Sequence, residues 1–258
     1  MNELKIVTYN VNGIRAAITK GLVDWVKETN PDILCFQEIK ATPEQVDLQE
    51  WKDLGYQVIA HSAEKKGYSG VATLTKIQPQ TIEIGMNNPK YDSEGRVLLT
   101  QFDAFTLANI YFPSGSSGED RHAFKLEFLE DILGYLRPRV EAGEKLIVVG
   151  DYNIVHREAD IHNPDRKDNP SGYRPEERAW MDRWFAELGM VDAFRHLNPD
   201  AREYSWWSYR AGSRKKNLGW RIDYVSVPAS LSGGLVAAKH HPDAAQSDHC
   251  ALEVRIKI

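Results

Sequence analysis

The chain has 258 residues, of which 42% are hydrophobic and 27% charged, with a formal net charge of −5 and an isoelectric point near 5.9. Seven tryptophans and interspersed charges of both signs exclude a disordered chain, and no apolar run approaches the roughly 20 residues of a membrane-spanning helix. The acidic balance argues mildly against a nucleic-acid ligand, but it does not exclude a local basic face.

The first residues enter a strand-like run directly, without the cationic and apolar leader of a secreted protein. Cys35 and Cys250 both lie in apolar, strand-like segments. This placement favours reduced, buried thiols in a cytoplasmic protein over a disulfide or a metal-binding pair.

Short runs of β-forming residues recur along the whole chain and predict strands. In chain order they are Leu4–Tyr9, Ile33–Phe36, Gln57–Ala60, Val71–Thr75, Val97–Phe102, Phe105–Tyr111, Leu146–Val149, Ile222–Val227 and Ala251–Ile258.

Helical periodicity appears between some of these strands and predicts three helices. The first carries Ile14, Ile18, Leu22 and Val26 on one face and ends before Pro31, the second carries Phe124, Phe128, Leu129, Ile132 and Leu136, and the third runs from Pro175 to near Gly189. Strands outnumber helices and do not alternate strictly with them, which predicts an α/β fold of two packed, mixed β-sheets flanked by helices. With no linker between two halves, one domain is expected over residues 1–258.

Acidic and amide side chains recur where the predicted strands begin or end, and such loops commonly carry reactive groups. They are Asn10, Asn12, Glu38, Asp151, Asn153, Asp223 and Asp248, and His249 directly follows the last of them. Each one alone has an ordinary explanation, such as an Asn-Gly or Gly-Asp turn. As a set, carboxylates, amides and one histidine suit Mg²⁺, and a phosphodiester is a natural substrate for such a site.

The segment from Tyr204 to Ile222 carries five cations and no acidic residue, and aromatic residues alternate with the cations. The cations are Arg210, Arg214, Lys215, Lys216 and Arg221. In isolation this pattern is more typical of a solvated loop with a few core aromatics. Beside a phosphodiesterase site, it favours contact with a nucleic acid.

Six motifs together resemble one enzyme family over essentially the whole chain. They are Asn10-Val11-Asn12-Gly13-Ile14-Arg15-Ala16, Gln37-Glu38-Ile39-Lys40, Gly67-Tyr68-Ser69-Gly70, Gly150-Asp151-Tyr152-Asn153, Gly219-Trp220-Arg221-Ile222-Asp223-Tyr224 and Ser247-Asp248-His249. In this order they resemble the exonuclease III family of apurinic/apyrimidinic (AP) endonucleases, within the endonuclease/exonuclease/phosphatase superfamily. The resemblance implies a DNase I-like, four-layered α/β sandwich. It also implies a DNA-repair enzyme that hydrolyses duplex DNA 5′ to abasic sites, leaves a 3′-hydroxyl, and trims 3′ ends as a 3′→5′ exonuclease.

The same resemblance implies roles at the metal and the phosphate. Glu38 would be the principal Mg²⁺ ligand, with Mn²⁺ as a substitute, and Asn10, Asp151, Asn153, Asp248 and His249 would complete the metal site. Asp151, held by Asn153, would position and deprotonate the attacking water. His249, paired with Asp223, would face the scissile phosphate, and Tyr111 would hydrogen-bond it.

Substrate contacts are implied in the same way. Trp206, Trp220 and Ile222 match an apolar pocket for a flipped-out abasic sugar. Positions that touch the DNA backbone or minor groove are matched by Arg15, Lys20, Gly67, Tyr68, Asn163, Arg214, Lys215 and Lys216. The expected partner is double-stranded DNA with abasic sites or 3′-blocked ends, bound by a cytoplasmic monomer without a membrane partner.

Two departures from the family pattern stand out. Many relatives carry Asp where this chain has Asn12, so one negative charge is absent near the metal site. Whether the site binds one metal ion or two therefore remains open. The Ser114–Ser117 segment lacks the cation that several relatives carry there.

Two alternative functions remain open. Another phosphoesterase of the superfamily, such as a non-specific nuclease or an inositol-phosphate or lipid phosphodiesterase, would share the acidic residues but not the basic, aromatic segment. A catalytically inactive nucleic-acid-binding module would have lost acidic ligands that are all present here.

Overall fold

The structure is a computed structural model that describes residues 3–258. Its strands are β1 (Glu3–Asn10), β2 (Ile33–Gln37), β3 (Gln57–His61), β4 (Val71–Thr75), β5 (Thr81–Ile84), β6 (Val97–Gln101), β7 (Thr106–Tyr111), β8 (Leu146–Asp151), β9 (Met190–Asp192), β10 (Asp223–Pro228), β11 (Leu235–His241) and β12 (Ala251–Lys257). Its helices are α1 (Ile14–Thr19), α2 (Leu22–Thr29), α3 (Gln49–Asp53), α4 (Pro89–Asp92), α5 (Glu119–Glu141), α6 (Pro175–Glu187), α7 (Ala193–Leu197) and α8 (Ala229–Ser232).

Within residues 3–258 the strands form two six-stranded sheets. One has the order β11-β12-β1-β2-β4-β3 and the other the order β5-β6-β7-β8-β10-β9. Both sheets are mixed, because β1 pairs with β2 and β7 with β8 in parallel while the other pairs are antiparallel. The predicted pair of mixed sheets is confirmed.

Three buried apolar clusters separate the layers. The central cluster lies between the sheets and includes Ile33, Leu252 and Val149. A second cluster packs α1, α2 and α3 against the outer face of the first sheet, and a third packs α5 and α6 against the outer face of the second. Since a sheet with two apolar faces must be covered on both sides, this order of layers gives the expected four-layered α/β sandwich.

The strand pairing brings polar residues of both sheets to one edge of the sandwich. Asn10 pairs with Gln37 at the ends of β1 and β2, which run in parallel. In the other sheet, Asp151 at the end of β8 lies between Tyr111 of β7 and Asp223 of β10. The chemistry-bearing residues of the sequence motifs therefore lie at neighbouring strand ends.

The structure corrects several predicted elements. The single helix through Ile14 and Val26 is wrong, because Gly21 adopts a left-handed φ of 86° and divides it into α1 and α2. Three strands were missed, namely β5, β9 and β11. β5 and β9 are short edge strands, and β11 mixes exposed and buried positions without a clean alternation. Such segments carry little of the β pattern on which prediction depends.

Two other predictions can be compared directly with the structure. The helix from Pro175 is confirmed as α6, with the proline in its first turn. Both cysteines are buried and free, as expected. None of the helices among the described residues has the length and apolar character that a membrane crossing requires.

Candidate active site

A cavity of about 330 Å³ opens where the strand ends of the two sheets meet. It is lined by Glu38, Tyr111, Ser114, Ser116, Asp151, Asn153, Pro170, Ser171, Trp206, Trp220, Ile222, Asp248 and His249. Nine of these residues were singled out from the sequence, while Ser114, Ser116, Pro170 and Ser171 were not assigned to the substrate site. The cavity thus combines an acidic side with an aromatic side.

Three potential metal ligands form the centre of the acidic side. Ligand atoms of Glu38, Asp151 and His249 all lie within 4.8 Å of one another. The amide of Asn10 connects two of them, since its Nδ2 donates to Glu38 Oε1 at 2.9 Å and to Asp151 Oδ2 at 2.8 Å. Burial and the neighbouring Asp223 carboxylate raise the pKa of Asp151 to about 7. The cluster therefore holds more negative charge than its surroundings balance.

The turn after β8 places Asp151 and Asn153 with little freedom. Gly150 has a φ of 143°, and a Cβ at this position would lie 1.9 Å from the carbonyl oxygen of Ile110, so only glycine fits there. Asn153 adopts a left-handed φ of 53°. Its backbone N–H donates to Asp151 Oδ1 at 2.8 Å, and its Nδ2 donates to Asp151 Oδ2 at 3.2 Å. The Asp151 carboxylate is therefore held in one orientation.

His249 is fixed by Asp223. Its Nδ1 donates to Asp223 Oδ2 at 2.9 Å, which directs Nε2 towards the cavity, 3.8 Å from Asp151 Oδ2. Burial alone would lower the pKa of His249, but the Asp223 and Asp151 carboxylates raise it to about 10. The imidazole is consequently protonated at neutral pH and presents an N–H donor to the cavity.

Asp248, Asn12 and Lys40 form a second polar group beside Glu38. Asp248 Oδ1 accepts a hydrogen bond from Asn12 Nδ2 at 2.9 Å, and Oδ2 accepts one from Trp206 Nε1 at 3.1 Å. Lys40 donates to the Asn12 side-chain oxygen, and its Nζ lies 2.9 Å from Glu38 Oε2. Burial would raise the pKa of Glu38, but Lys40 and Asn10 lower it below its usual value.

Lys40 was assigned no role from the sequence, although it lies in the same motif as Glu38. A lysine two residues after the presumed ligand was the available signal. From the sequence, Asn12 was grouped with the polar residues at strand ends and noted for the charge it lacks, and in the structure its amide joins Lys40 to Asp248.

Tyr111 lies at the inner wall and is 7% exposed. Arg96 holds it from behind, because Arg96 Nη1 donates to the Tyr111 carbonyl oxygen at 2.9 Å and the guanidinium lies 4.7 Å from the ring centre. Burial and the nearby Glu38 carboxylate raise the pKa of the Tyr111 phenol, so it remains a proton donor at neutral pH.

The aromatic side is formed by Trp206, Trp220 and Ile222. The two indole rings meet edge to face, with 5.7 Å between ring centres and an interplanar angle of 72°. Gly172 packs against Trp220 so closely that a Cβ there would lie 2.9 Å from the ring. This side of the cavity is apolar and closely packed. It adjoins the acidic side where Trp206 Nε1 donates to Asp248 Oδ2.

The other predicted substrate residues lie outside the cavity. Arg15 and Gly67 line a shallow depression together with Lys40, and Lys20, Lys215 and Lys216 are exposed. Tyr68 is half-buried, and its hydroxyl accepts hydrogen bonds from Arg96 and Arg121. Asn163 is half-buried in the loop before α6.

Two arginines of the basic segment point into the protein. Arg221 has no exposed surface and bonds Asp160 and Asp192. Arg214 donates to the carbonyl oxygens of Pro242, Ala244, Ser247 and His249. The interpretation of Arg221 as part of a basic face is therefore wrong, and the Arg214 guanidinium is engaged with the segment that carries Asp248 and His249.

The donor set fits a divalent cation. Carboxylates and side-chain amide oxygens are ligands that hard cations such as Mg²⁺ or Mn²⁺ accept. Burial and the neighbouring carboxylates raise the pKa of Asp151, and a bound cation would favour its charged form. Ligand atoms of Glu38, Asp151 and His249 lie within 4.8 Å of one another. An imidazole protonated at both nitrogens has no lone pair for a metal, so the expectation that His249 is a ligand does not agree with its hydrogen bonding, and Glu38 and Asp151 are the charged candidate ligands.

Comparison with known proteins agrees with this arrangement. Residues 7–249 match the Endonuclease/Exonuclease/phosphatase family. The chain is 39% identical over 257 residues to an exodeoxyribonuclease of Bacillus subtilis, a match that covers 99% of this chain and 100% of that protein. It is 36% identical over 259 residues to the DNA repair nuclease APEX1 of Danio rerio, which covers 99% of this chain and 83% of the relative.

A similar fold occurs among solved structures. An AP endonuclease from Archaeoglobus fulgidus is 29% identical and superposes with a TM-score of 0.90, covering 99% of this chain and 100% of that one.

Proposed function

The chain belongs to the endonuclease/exonuclease/phosphatase family, and we propose that it hydrolyses duplex DNA on the 5′ side of abasic sites, leaving a 3′-hydroxyl. Its relatives make it a hydrolytic nuclease of the exodeoxyribonuclease III and AP endonuclease type, as the motifs predicted. We further propose that it removes blocking groups and nucleotides from 3′ ends.

One observation carries the abasic preference. The acidic cluster and the aromatic wall of Trp206, Trp220 and Ile222 line the same cavity. A sugar without a base has little to hydrogen-bond, so a compact apolar wall suits it and excludes a full nucleotide by size. Extruding such a sugar from the duplex is also easiest, because no base has to be unstacked. A phosphate attached to that sugar would lie beside Glu38, Asp151 and His249.

Metal dependence is typical of this family, and we propose Mg²⁺, with Mn²⁺ as a substitute. Glu38 would be the principal ligand, Asn10, Asp151, Asn153 and Asp248 would surround the ion, and the protonated His249 would lie beside it as a hydrogen-bond donor. When bound, a divalent ion neutralises phosphoryl oxygens and the developing charge of the leaving group.

The protein's own groups would perform the remaining steps. Asp151 would orient a water molecule in line with the scissile bond and accept its proton, and Asn153 would keep the carboxylate in place. His249, held by Asp223, would donate a hydrogen bond to a phosphoryl oxygen as charge accumulates there. Tyr111 would donate a second hydrogen bond from the inner wall.

DNA contacts outside the cavity remain a proposal based on position and charge. Arg15, Lys20, Lys215 and Lys216 are exposed cations that would neutralise backbone phosphates. Gly67, Tyr68 and Asn163 would contact the backbone or the minor groove. Because the Arg214 guanidinium already bonds protein carbonyl groups, we propose that it supports the Ser247–His249 segment.

A labelled abasic duplex tests this function. We expect the chain to incise a 5′-labelled duplex with one abasic analogue, to leave a 3′-hydroxyl, to require Mg²⁺ and to stop with EDTA. The same duplex without the lesion, an inositol phosphate and a phospholipid are the controls. Equal cleavage of the intact duplex would indicate a non-specific nuclease, and turnover of only the other phosphoesters would assign a different substrate class. Binding of the duplex without any hydrolysis would indicate an inactive binding module.

We also propose that residues 1–258 act as one catalytic domain and as a monomer. The cavity is lined on both its acidic and its aromatic side by described residues of a single chain. Light scattering after size-exclusion chromatography should give the mass of a single chain, and a dimer mass would contradict this proposal.

A further inference from the structure

A lysine–glutamate pair is buried directly behind the cavity, and neither residue takes part in the chemistry proposed above. Lys125 of α5 and Glu177 of α6 have no exposed side-chain surface, and Lys125 Nζ lies 2.6 Å from Glu177 Oε1. Moving two charges out of water costs several kcal/mol per ion, so a buried pair is weak evidence for a role in stability alone. The remaining contacts of the two residues indicate a role at the active site.

Lys125 holds the turn that carries the proposed base. Its Nζ donates to the carbonyl oxygen of Asn153 at 2.8 Å. Asn153 has a left-handed φ of 53°, a conformation that asparagine adopts more readily than most residues, and the Lys125 hydrogen bond holds its carbonyl group in that turn. Since Asn153 also donates two hydrogen bonds to Asp151, the Lys125 ammonium fixes the position of the Asp151 carboxylate.

Glu177 holds the loop behind the aromatic wall. Its Oε2 accepts hydrogen bonds from the backbone N–H groups of Gly172 at 2.7 Å and Arg174 at 2.9 Å. Its Oε1 accepts one from Ser171 Oγ at 3.3 Å. Ser171 lines the cavity, and Gly172 packs against the Trp220 ring. The Glu177 carboxylate, which pairs with Lys125, therefore also fixes the loop that bounds the sugar pocket, the space beside Trp206, Trp220 and Ile222 where the abasic sugar is proposed to bind.

We propose that the Lys125–Glu177 pair couples the acidic cluster to the sugar pocket and thereby sets the preference for abasic over normal nucleotides. This inference rests on the proposed function. With the pair intact, only a sugar without a base reaches the correct depth beside Asp151. With the pair removed, the Gly172 loop and the Asn153 turn move independently, so abasic sugars are placed less well and normal nucleotides are excluded less strictly.

The test is the ratio of two rates on the same enzyme. One is single-turnover incision at an abasic site, and the other is single-turnover removal of a normal 3′ nucleotide, both at saturating DNA and Mg²⁺. A variant that merely lowers the folded fraction reduces both rates equally and leaves the ratio unchanged. Because a displacement of about 1 Å can change a rate by about a hundredfold, we expect the ratio to fall by about tenfold to a hundredfold.

The main variant is Lys125→Met/Glu177→Gln, which removes both charges and keeps the side-chain volumes similar, so that no buried charge is left unpaired. Lys125→Met alone serves as a second variant if it folds. Arg183→Met is the matched control, because Arg183 and Glu130 form an exposed pair between the same two helices without contact to the cavity. The control should keep the wild-type ratio within about twofold, as expected for an exposed pair.

The outcomes separate the two proposals. A wild-type protein that fails to incise abasic DNA contradicts the proposed function itself. If the wild type incises and the double variant keeps the wild-type ratio, the coupling role is wrong while the function stands. A ratio that falls in the double variant but not in Arg183→Met supports the coupling role. An equal fall in both variants contradicts it, because any loosening of α5 against α6 would then suffice.

Discussion

Two buried aspartates in neighbouring regions of the chain have opposite electrostatic surroundings. Asp160 is 0% exposed, and its carboxylate accepts hydrogen bonds from Arg221 Nε at 2.8 Å and from Arg195 Nη2 at 2.5 Å. Burial alone would raise its pKa, but the two guanidinium groups lower the pKa to about 2. Asp151 is 1% exposed and faces the Asp223 and Glu38 carboxylates, and burial and this crowding raise its pKa to about 7.

The difference distinguishes a structural carboxylate from a reactive one. The charge of Asp160 is balanced by side chains of the protein itself, so its network with Arg195, Arg221 and Asp192 is complete without a ligand. The charge of Asp151 is only partly balanced, by His249 and by amide donors. Strongly perturbed carboxyl groups in a cleft are typical of functional sites, and here burial and the Asp223 and Glu38 carboxylates cause the perturbation.

The largest expected effect follows from removing the charge at Asp151. Asp151→Asn keeps the shape of the side chain but not its basicity, and general base catalysis contributes about 10²–10⁴ in rate. We expect single-turnover incision of abasic DNA to fall by that factor, with the dissociation constant for DNA changed little. Quench-flow kinetics and a binding titration would measure the two quantities. More than a tenth of the wild-type rate would remove Asp151 from the role of base.

The same substitution at Asp160 should affect stability instead of chemistry. Asp160→Asn leaves Arg221 and Arg195 without their shared counter-charge, and breaking a buried ion pair costs about 3–5 kcal/mol. We expect urea unfolding to show a loss of this size, while incision per folded molecule stays near wild type. A large loss of activity in the fully folded variant would show that the two regions are not separate.

Acid pH should weaken the Asp160 network specifically. The folded pKa, about 2, lies below the ordinary aspartate pKa of 3.8, so this carboxylate stabilises the protein above pH ~4, and its contribution is lost as the pH falls through about 2. The shift corresponds to about 2 kcal/mol. We expect the stability difference between wild type and Asp160→Asn to shrink by about that amount between pH ~5 and pH ~2. A constant difference would mean that the arginines do not lower the Asp160 pKa.

The smallest expected effect is on the salt dependence of DNA binding by the basic segment, Tyr204–Ile222. In this segment, cations that point into the protein can be compared with cations that are exposed. Lys215 and Lys216 are exposed, and each phosphate contact changes the slope of log K against log salt by about 0.9. We expect Lys215→Ser/Lys216→Ser to flatten the slope by up to about 1.8 without altering cleavage at saturating DNA. Arg214→Met should leave the slope unchanged and reduce the cleavage rate, because its guanidinium supports the Ser247–His249 segment. The reverse pattern would place Arg214 on the DNA.

The contrast also explains what the sequence predicts well. The pair of mixed sheets follows from the strand patterns, and the four-layered sandwich and the assembly of Glu38, Asp151 and His249 were implied by the family resemblance of motifs at strand ends. A strand fixes the position of the residue that follows it, so a short motif at a strand end determines much of the geometry of the active site. Helix α1 and the short edge strands were predicted poorly, because one left-handed glycine or a few exposed positions decide them.

The sequence does not show whether a charged side chain points into the protein or towards solvent. Arg210, Arg214, Lys215, Lys216 and Arg221 look equivalent in the sequence, but Arg221 meets Asp160 and Asp192, which lie far away along the chain. Lys125 likewise reads as an ordinary helix lysine until α6 brings Glu177 against it. Such roles depend on residues that are distant in the sequence, so the local periodicity of the sequence does not predict them.

The most direct test of this account is calorimetric unfolding of the metal-free protein with and without saturating Mg²⁺. If the Asp151 region needs a cation to balance its charge, Mg²⁺ at a hundredfold excess over its dissociation constant should stabilise the wild type by about 2.7 kcal/mol. For a protein of this size that corresponds to a rise in Tm of about 5–10 °C. Glu38→Gln should lose most of this rise, whereas Asp160→Asn, despite its lower starting Tm, should keep it. An unchanged wild-type Tm, or an equal rise in Glu38→Gln, would contradict the assignment of this cluster as the metal site.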